Sequence, residues 1–277
     1  MRRVVDLNFV KAHAYGNDFV FAELNECEAL DLAMVSRSAC DRTRGIGADG
    51  MIFFQLTESR AEMKLFNADG SYAELSGNGL RCLGAVIAEA RCNGEGGKGD
   101  EIIIQTDAGE KTLELLDNSD HRYTFRAAMG EPVGLRQKQL DVNGERVPVI
   151  VLSVGNPQCI VLTADLNEAR FRRLGPLLAT HKEFPAGTNV AFVHVESCDC
   201  AKVLIWERGV GPTEASGTGA CASAVAAAAY GGSSRNLEVI SPGGSQRVDW
   251  QENGIFLTGW AQITVRGRWS FSTDWVP

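Results

Sequence analysis

The sequence predicts an α/β (α+β) chain of two similar lobes, each with strands around a central helix, and three observations carry that prediction. The first is an internal repeat. Glu74-Leu75-Ser76-Gly77-Asn78-Gly79 returns as Glu214-Ala215-Ser216-Gly217-Thr218-Gly219, at an offset of 140 (216 − 76). Phe66-Asn67 is matched by Trp206-Glu207 at the same offset, and Gly16-Asn17 by Gly155-Asn156 at 139. Each match alone is a common turn sequence, but three in one order, near half the chain length of 277 residues, describe a duplicated unit.

The second observation is a pair of helices. Each S-G-x-G element opens a stretch without proline and rich in Ala or Leu, Gly79 to Ala90 and Gly219 to Tyr230. Asn93-Gly94 and Gly231-Gly232 serve as stop signals. Both stretches are small or apolar nearly all round, which is the pattern of a buried helix. The third is a set of short β-branched or aromatic runs, 102–104, 123–125, 149–152, 190–193, 203–206 and 263–265, which read as strands. The polar, glycine-rich stretch Asn93 to Gly99 reads as a surface loop of the first lobe. The expected division is 1–125, completed by the last strand 263–277, and 126–262.

Composition narrows the function. Apolar residues make up 44% and charged residues 22%, which suits a folded globular chain. A net charge of −8 with no Lys/Arg-rich run argues against nucleic acid as a partner. The longest small-apolar stretch, Ala220 to Tyr230, is far below the roughly 18–20 residues a spanning helix needs, so no membrane partner is expected. Asp6, Asn8 and Lys11 interrupt any apolar segment behind Arg2 and Arg3, as expected of a cytoplasmic protein. The eight cysteines are scattered, as suits a reducing compartment. Cys198 and Cys200 form a C-x-C pair with no second cluster at zinc-ligand spacing, so no metal is expected.

The repeated S-G-x-G elements place two helix N-termini at equivalent positions. Such a terminus offers unpaired backbone N–H groups and partial positive charge to an anion. Two of them would cradle a carboxylate between the halves and stabilise the charge that develops when its α-proton is removed. Ser76 and Ser216 stand where an acid/base residue would work, although serine is also the commonest kind of helix N-cap.

The motifs Tyr15-Gly16-Asn17-Asp18-Phe19-Val20, Gly45-Ile46-Gly47-Ala48-Asp49-Gly50, Asn67-Ala68-Asp69-Gly70-Ser71, Gly77-Asn78-Gly79-Leu80-Arg81-Cys82, Gly155-Asn156-Pro157, Thr188-Asn189-Val190, Glu207-Arg208-Gly209 and Gly217-Thr218-Gly219 resemble, in order, the signature set of the diaminopimelate epimerase family. The resemblance implies two pseudo-symmetric lobes, each a curved, mainly antiparallel sheet wrapped around a central helix. It also implies a cofactor-free amino-acid epimerase that interconverts LL- and meso-diaminopimelate in lysine biosynthesis, acting as a cytoplasmic homodimer on a small amino acid. Carried over position by position, Gly77, Asn78, Gly217 and Thr218 would bind the reacting α-carboxylate. Asn17, Asn67, Asn156 and Asn189 would supply neutral hydrogen bonds, while Glu207 and Arg208 would hold the charged groups of the distal end.

The sequence departs from the family at its two acid/base cysteines, occupied here by Ser76 and Ser216, and at a histidine, occupied here by Gln158. A thiol has a pKa of about 8.5, lower still at a helix N-terminus. An aliphatic hydroxyl lies nearer water at about 15.7. Even a gap of only about five units would correspond to about 7 kcal/mol, so serine is a poor direct base. Three readings fit this departure. The pair is an engineered trap, or a divergent enzyme using another activating group such as Glu207 or performing a related dehydration, or a paralogue that only binds amino acids. Cys82 and Cys221 lie six and five residues beyond the serines, roughly 7–9 Å along the helices, too far to replace them.

Overall fold

The computed structural model describes residues 4–27, 29–57, 60–92, 97–119 and 121–272, and the chain divides into two units, 1–126 with 260–277, and 127–259. Unit 1 contains β1 (Val4–Ala14), β2 (Asn17–Glu23), a 3-10 turn (Leu24–Cys27), α1 (Leu32–Cys40), β3 (Gly50–Leu56), β4 (Ala61–Asn67), β5 (Tyr72–Ala73), α2 (Gly77–Cys92), β6 (Glu101–Thr106), β7 (Gly109–Asp117) and the start of β8 (Arg122–Gly130). Unit 2 contains β9 (Val133–Val142), β10 (Glu145–Ser153), β11 (Pro157–Leu162), α3 (Glu168–Ala179), β12 (Asn189–Ser197), β13 (Cys200–Glu207), β14 (Gly211–Thr213), α4 (Gly217–Tyr230), β15 (Asn236–Ser241) and β16 (Gly244–Gln251). The last strand, β17 (Gly254–Ser272), begins in unit 2 and ends in unit 1, where it pairs with β1.

The two units repeat one strand-pairing scheme. In unit 1, β1 and β2 are antiparallel, β2 and β3 parallel, β3 and β4 antiparallel, β4 and β6 parallel, and β6 and β7 antiparallel. The series β10, β11, β12, β13, β15, β16 in unit 2 follows the same sequence of senses. Each parallel pair needs a crossover helix. α1 and α3 supply it for the first parallel pair of each unit and α2 and α4 for the second, and α1 and α3 open on side-chain caps: Asp31 accepts from the Ala33 and Met34 amides, and Asn167 from the Arg170 amide.

α4 lies within the curve of its own sheet, touching strands β10 to β13, β15 and β16. Ala220, Ala222, Ala224, Ala226 and Ala227, with Val225 and Cys221, are buried against Ile160, Val193, Ile205, Leu237 and Leu257. α2 packs likewise on β1, β2, β6 and β7, with Leu83 and Ile87 fully buried. α1 and α3 cover the opposite faces of their sheets. The central helices begin at Gly77 and Gly217, two residues before the expected starts, because Ser76 and Ser216 cap them. Residues 93–96 of the expected surface loop, with the Asn93-Gly94 stop signal, lie outside the described residues.

Candidate active site

At the α2 terminus, Ser76 Oγ accepts the Gly79 amide at 3.1 Å while its carbonyl accepts the Leu80 amide at 2.8 Å. A Cβ added at Gly77 would meet nothing within 4 Å, so the backbone of this terminus is open to a ligand. Asn78 is buried; its Nδ2 donates to Asn17 Oδ1 at 3.1 Å and its Oδ1 accepts from the fully buried Arg81. Asn17 Nδ2 donates in turn to Asp49 at 2.8 Å. Asp49 and Asp18 share Arg42, at 2.8 Å each, and Lys11 lies 2.9 Å from Asp18.

At the α4 terminus Ser216, buried and in extended backbone geometry, accepts the Gly219 amide at 3.3 Å. The Glu207 side chain, at the end of β13, reaches this cap. Burial pushes its carboxyl above the usual carboxylate range, and a hydrogen bond with Ser216 partly counters that. Gln158 is buried at the start of β11; its Nε2 donates to Asn156 Oδ1 at 2.6 Å and to Thr218 Oγ1 at 3.3 Å. Asn156 Nδ2 adds a 3.4 Å bond to Thr218, so the amide pair is tied to the first turn of α4.

Among the expected site residues of unit 1, Asn17 and Asn78 join Ser76 and Gly77. Asn67 does not join this network: its Nδ2 donates to Ser71 Oγ at 2.9 Å and closes the turn after β4. In unit 2, Glu207, Ser216, Gly217, Thr218, Asn156 and Gln158 form one connected group, whereas Asn189 Oδ1 accepts the Arg208 amide at 2.8 Å. The Arg208 guanidinium donates to the Ala186 carbonyl at 3.0 Å and flanks a groove of about 550 Å³ with Phe184, Gly187, Trp206 and Val210. Neither Glu207 nor Ser216 lines that groove, so the adjacent Glu207 and Arg208 serve different surroundings. Cys82 and Cys221 are fully buried, and burial raises the Cys82 thiol far above its ordinary value, as unsuited to proton transfer as their distance implied. Among the described residues no three His, Cys, Asp or Glu side chains cluster as a metal site, and no helix is long and apolar enough to cross a membrane.

Asp49 is the site residue that the sequence reading did not single out. It lies in the Gly45–Gly50 motif, but its contact with Asn17 arises from the parallel pairing of β2 and β3, in which Phe19 faces Gly50.

Solved structures share this architecture at low identity. A hydroxyproline epimerase from Agrobacterium vitis superposes with a TM-score of 0.71 at 14% identity, covering 97% of this chain and 92% of that one. A phenazine biosynthesis protein of the PhzF family from Bacillus anthracis gives 0.70 at 16%, covering 95% and 98%. These likenesses give the fold, and the named sequence relatives give the class, an isomerase-type enzyme. Sequence relatives narrow the class: the diaminopimelate epimerase of Desulforudis audaxviator is 39% identical over 282 residues, 95% of this chain and 99% of that protein. The corresponding enzyme of Desulfitobacterium hafniense is 35% identical, over 94% and 97%. The diaminopimelate epimerase family profile matches residues 9–135 and 150–264. The chain belongs to the diaminopimelate epimerase family.

Proposed function

We propose that this protein is a pyridoxal-independent amino-acid epimerase of the diaminopimelate type, working in lysine biosynthesis as a cytoplasmic homodimer, with its proton chemistry altered by two serines. The observation that carries this reading is the match to diaminopimelate epimerases over nearly the whole chain, and the Glu207 carboxyl beside Ser216 at the N-terminus of α4 is the group suited to take the proton. A serine hydroxyl alone is at least about 7 kcal/mol too reluctant to ionise relative to a thiol. A half-buried carboxylate whose pKa is pushed upward is a stronger base than a solvated one and can accept a proton directly or through the Ser216 hydroxyl. In unit 1 the open backbone at Gly77 with the Asn78 side chain, and in unit 2 the first turn of α4 with Thr218, each offer donors to a carboxylate. Their positive potential stabilises the carbanion as the Cα–H electron pair moves toward the carboxylate. Asn17 and Asn156 add neutral hydrogen bonds, and Ser76 stands at the second acid/base position.

A second reading, an amino-acid binder without turnover, is favoured by Gln158, whose amide cannot titrate. Incubation with LL-diaminopimelate in D2O, followed by proton NMR and chiral chromatography, separates the two. Deuterium at the α-carbon with appearance of the meso isomer supports the epimerase, and its loss in Glu207→Gln supports the role of Glu207. Saturable binding with no deuterium incorporation would establish the binder instead.

A further inference from the structure

The polar chain at the α2 terminus has a direction that its two ends impose. Arg81 is a donor only and Asp49, as a carboxylate, an acceptor only. Between them lie two carboxamides, each able to point either way. Because Asp49 takes the Asn17 Nδ2 proton, Asn17 must turn its oxygen to Asn78. Asn78 therefore donates through Nδ2 and turns its own oxygen to Arg81. Donation runs Arg81 to Asn78 to Asn17 to Asp49, with a fixed cation at one end and a fixed anion at the other, an order in which each bond polarises the next. Reversing either amide would set N–H against the Arg81 guanidinium or oxygen against the Asp49 carboxylate.

We propose that Asp49 is a positioning residue for the amino-acid site. By fixing the orientation of the Asn17 carboxamide, and through it that of Asn78, it decides where donors and acceptors meet a zwitterionic ligand at the α2 terminus. The functional half of this inference rests on the reading of Asn17 and Asn78 as ligand contacts. Asp49 is itself braced. It accepts the Asp18 amide at 3.0 Å, its own amide donates to the Asp18 carbonyl at 3.0 Å, and Arg42 bridges the two carboxylates. The remaining Asn17 Nδ2 proton and the second lone pair of its oxygen are then presented in one arrangement, so a ligand carboxylate finds an N–H where a flipped amide would offer an oxygen.

The test compares wild-type protein with Asp49→Ala and Asp49→Asn. Asparagine can still offer its carbonyl to Asn17 while losing the charge that Arg42 needs, so it separates acceptor from ion pair. The first readout requires no ligand: the side-chain carboxamide proton and nitrogen signals of Asn17 and Asn78 in labelled protein, with the backbone spectrum confirming the fold. We expect Asp49→Ala to shift both pairs of signals and to speed their exchange with water by about tenfold or more, while Asp49→Asn stays within about threefold of wild type. The second readout is diaminopimelate affinity, expected to fall about tenfold in Asp49→Ala and to hold within about threefold in Asp49→Asn. Unchanged amide signals in Asp49→Ala, or equal loss in both variants, would overturn the inference. Shifted amides with unchanged affinity would sustain the orienting role of Asp49 while removing Asn17 and Asn78 from the ligand site. No diaminopimelate binding even in the wild type would reject the ligand reading and leave the amide signals to decide the orienting role.

Discussion

The two units share a backbone plan and differ in where they keep their charge. Asp49 precedes the second strand of the parallel pair in unit 1; the equivalent place in unit 2, 139 residues on (188 − 49), is the buried Thr188. Glu207 ends β13 in unit 2, and its counterpart 140 residues earlier (207 − 67) is Asn67, turned into a loop. Arg81, the buried cation of α2, corresponds to Cys221 in α4. The carboxylates near the two termini are thus differently used. In unit 1 Asp49, which shares Arg42 with Asp18, accepts from Asn17; in unit 2 Glu207 is buried beside the cap serine with a raised pKa. Strand pairing and helix caps tolerate few changes, so duplication preserves them. The charges around the caps can be redistributed without disturbing either, and there the units differ.

The largest expected effect tests that difference directly. Restoring thiols with Ser76→Cys and Ser216→Cys together is expected to raise α-proton exchange in D2O by about 10³-fold or more, since at least about five units of acidity separate the two nucleophiles. Of the single variants, Ser216→Cys is expected to gain more, because Glu207 already lies on that residue. Equal gains would remove the asymmetry argued above.

The cores differ as well. α2 fills its sheet with Leu83 and Ile87, whereas α4 brings mostly alanine close against its strands. Truncation should therefore hurt unit 1 and enlargement unit 2. Leu83→Ala is expected to cost about 2–5 kcal/mol in urea denaturation, and Ala226→Leu about 1–3 kcal/mol through overpacking. If Ala226→Leu were accommodated without loss, the close packing of α4 would not be a constraint.

How far the sequence showed this molecule depends on how local each feature is. α2 and α4 were legible because small residues run unbroken behind a capping serine, and the strand runs at 102–104, 149–152 and 203–206 fall inside β6, β10 and β13. α3 was not: Pro176 lies in its last turns and its mean composition is polar. β9, with Arg136, Gln137 and Lys138 in succession, carries little of the apolar alternation that marks a strand, yet pairs along most of β10. The division of the site followed the same rule. Ser76 and Ser216 announce themselves through their neighbours, while Asp49 meets Asn17 across 32 residues of sequence through a register that no local pattern contains. Asn67 is the converse, a motif residue whose side chain answers the nearest turn.

The smallest effects are in stability, and they run in opposite directions in the two units. Burial would raise Asp18, but hydrogen bonds and charge from Arg42 and Lys11 outweigh it and hold the carboxyl below its usual 3.8. Such a group contributes stability that is present above the unfolded pKa and lost as pH falls through the folded one. Asp18→Asn is therefore expected to lower the melting temperature at pH 7, with the deficit closing in acid. Glu207 has the reverse sign. Its pKa is raised above 4.5 by burial, so its contribution is fully present below 4.5 and disappears as pH climbs through the folded value. Glu207→Gln keeps the uncharged shape and can still accept from the Ser216 hydroxyl. It should match the wild type in acid and melt higher at pH 7. Melting curves from pH 4 to 8 for the two variants should then diverge from wild type on opposite sides. Parallel shifts would mean that the two carboxylates sit in equivalent surroundings.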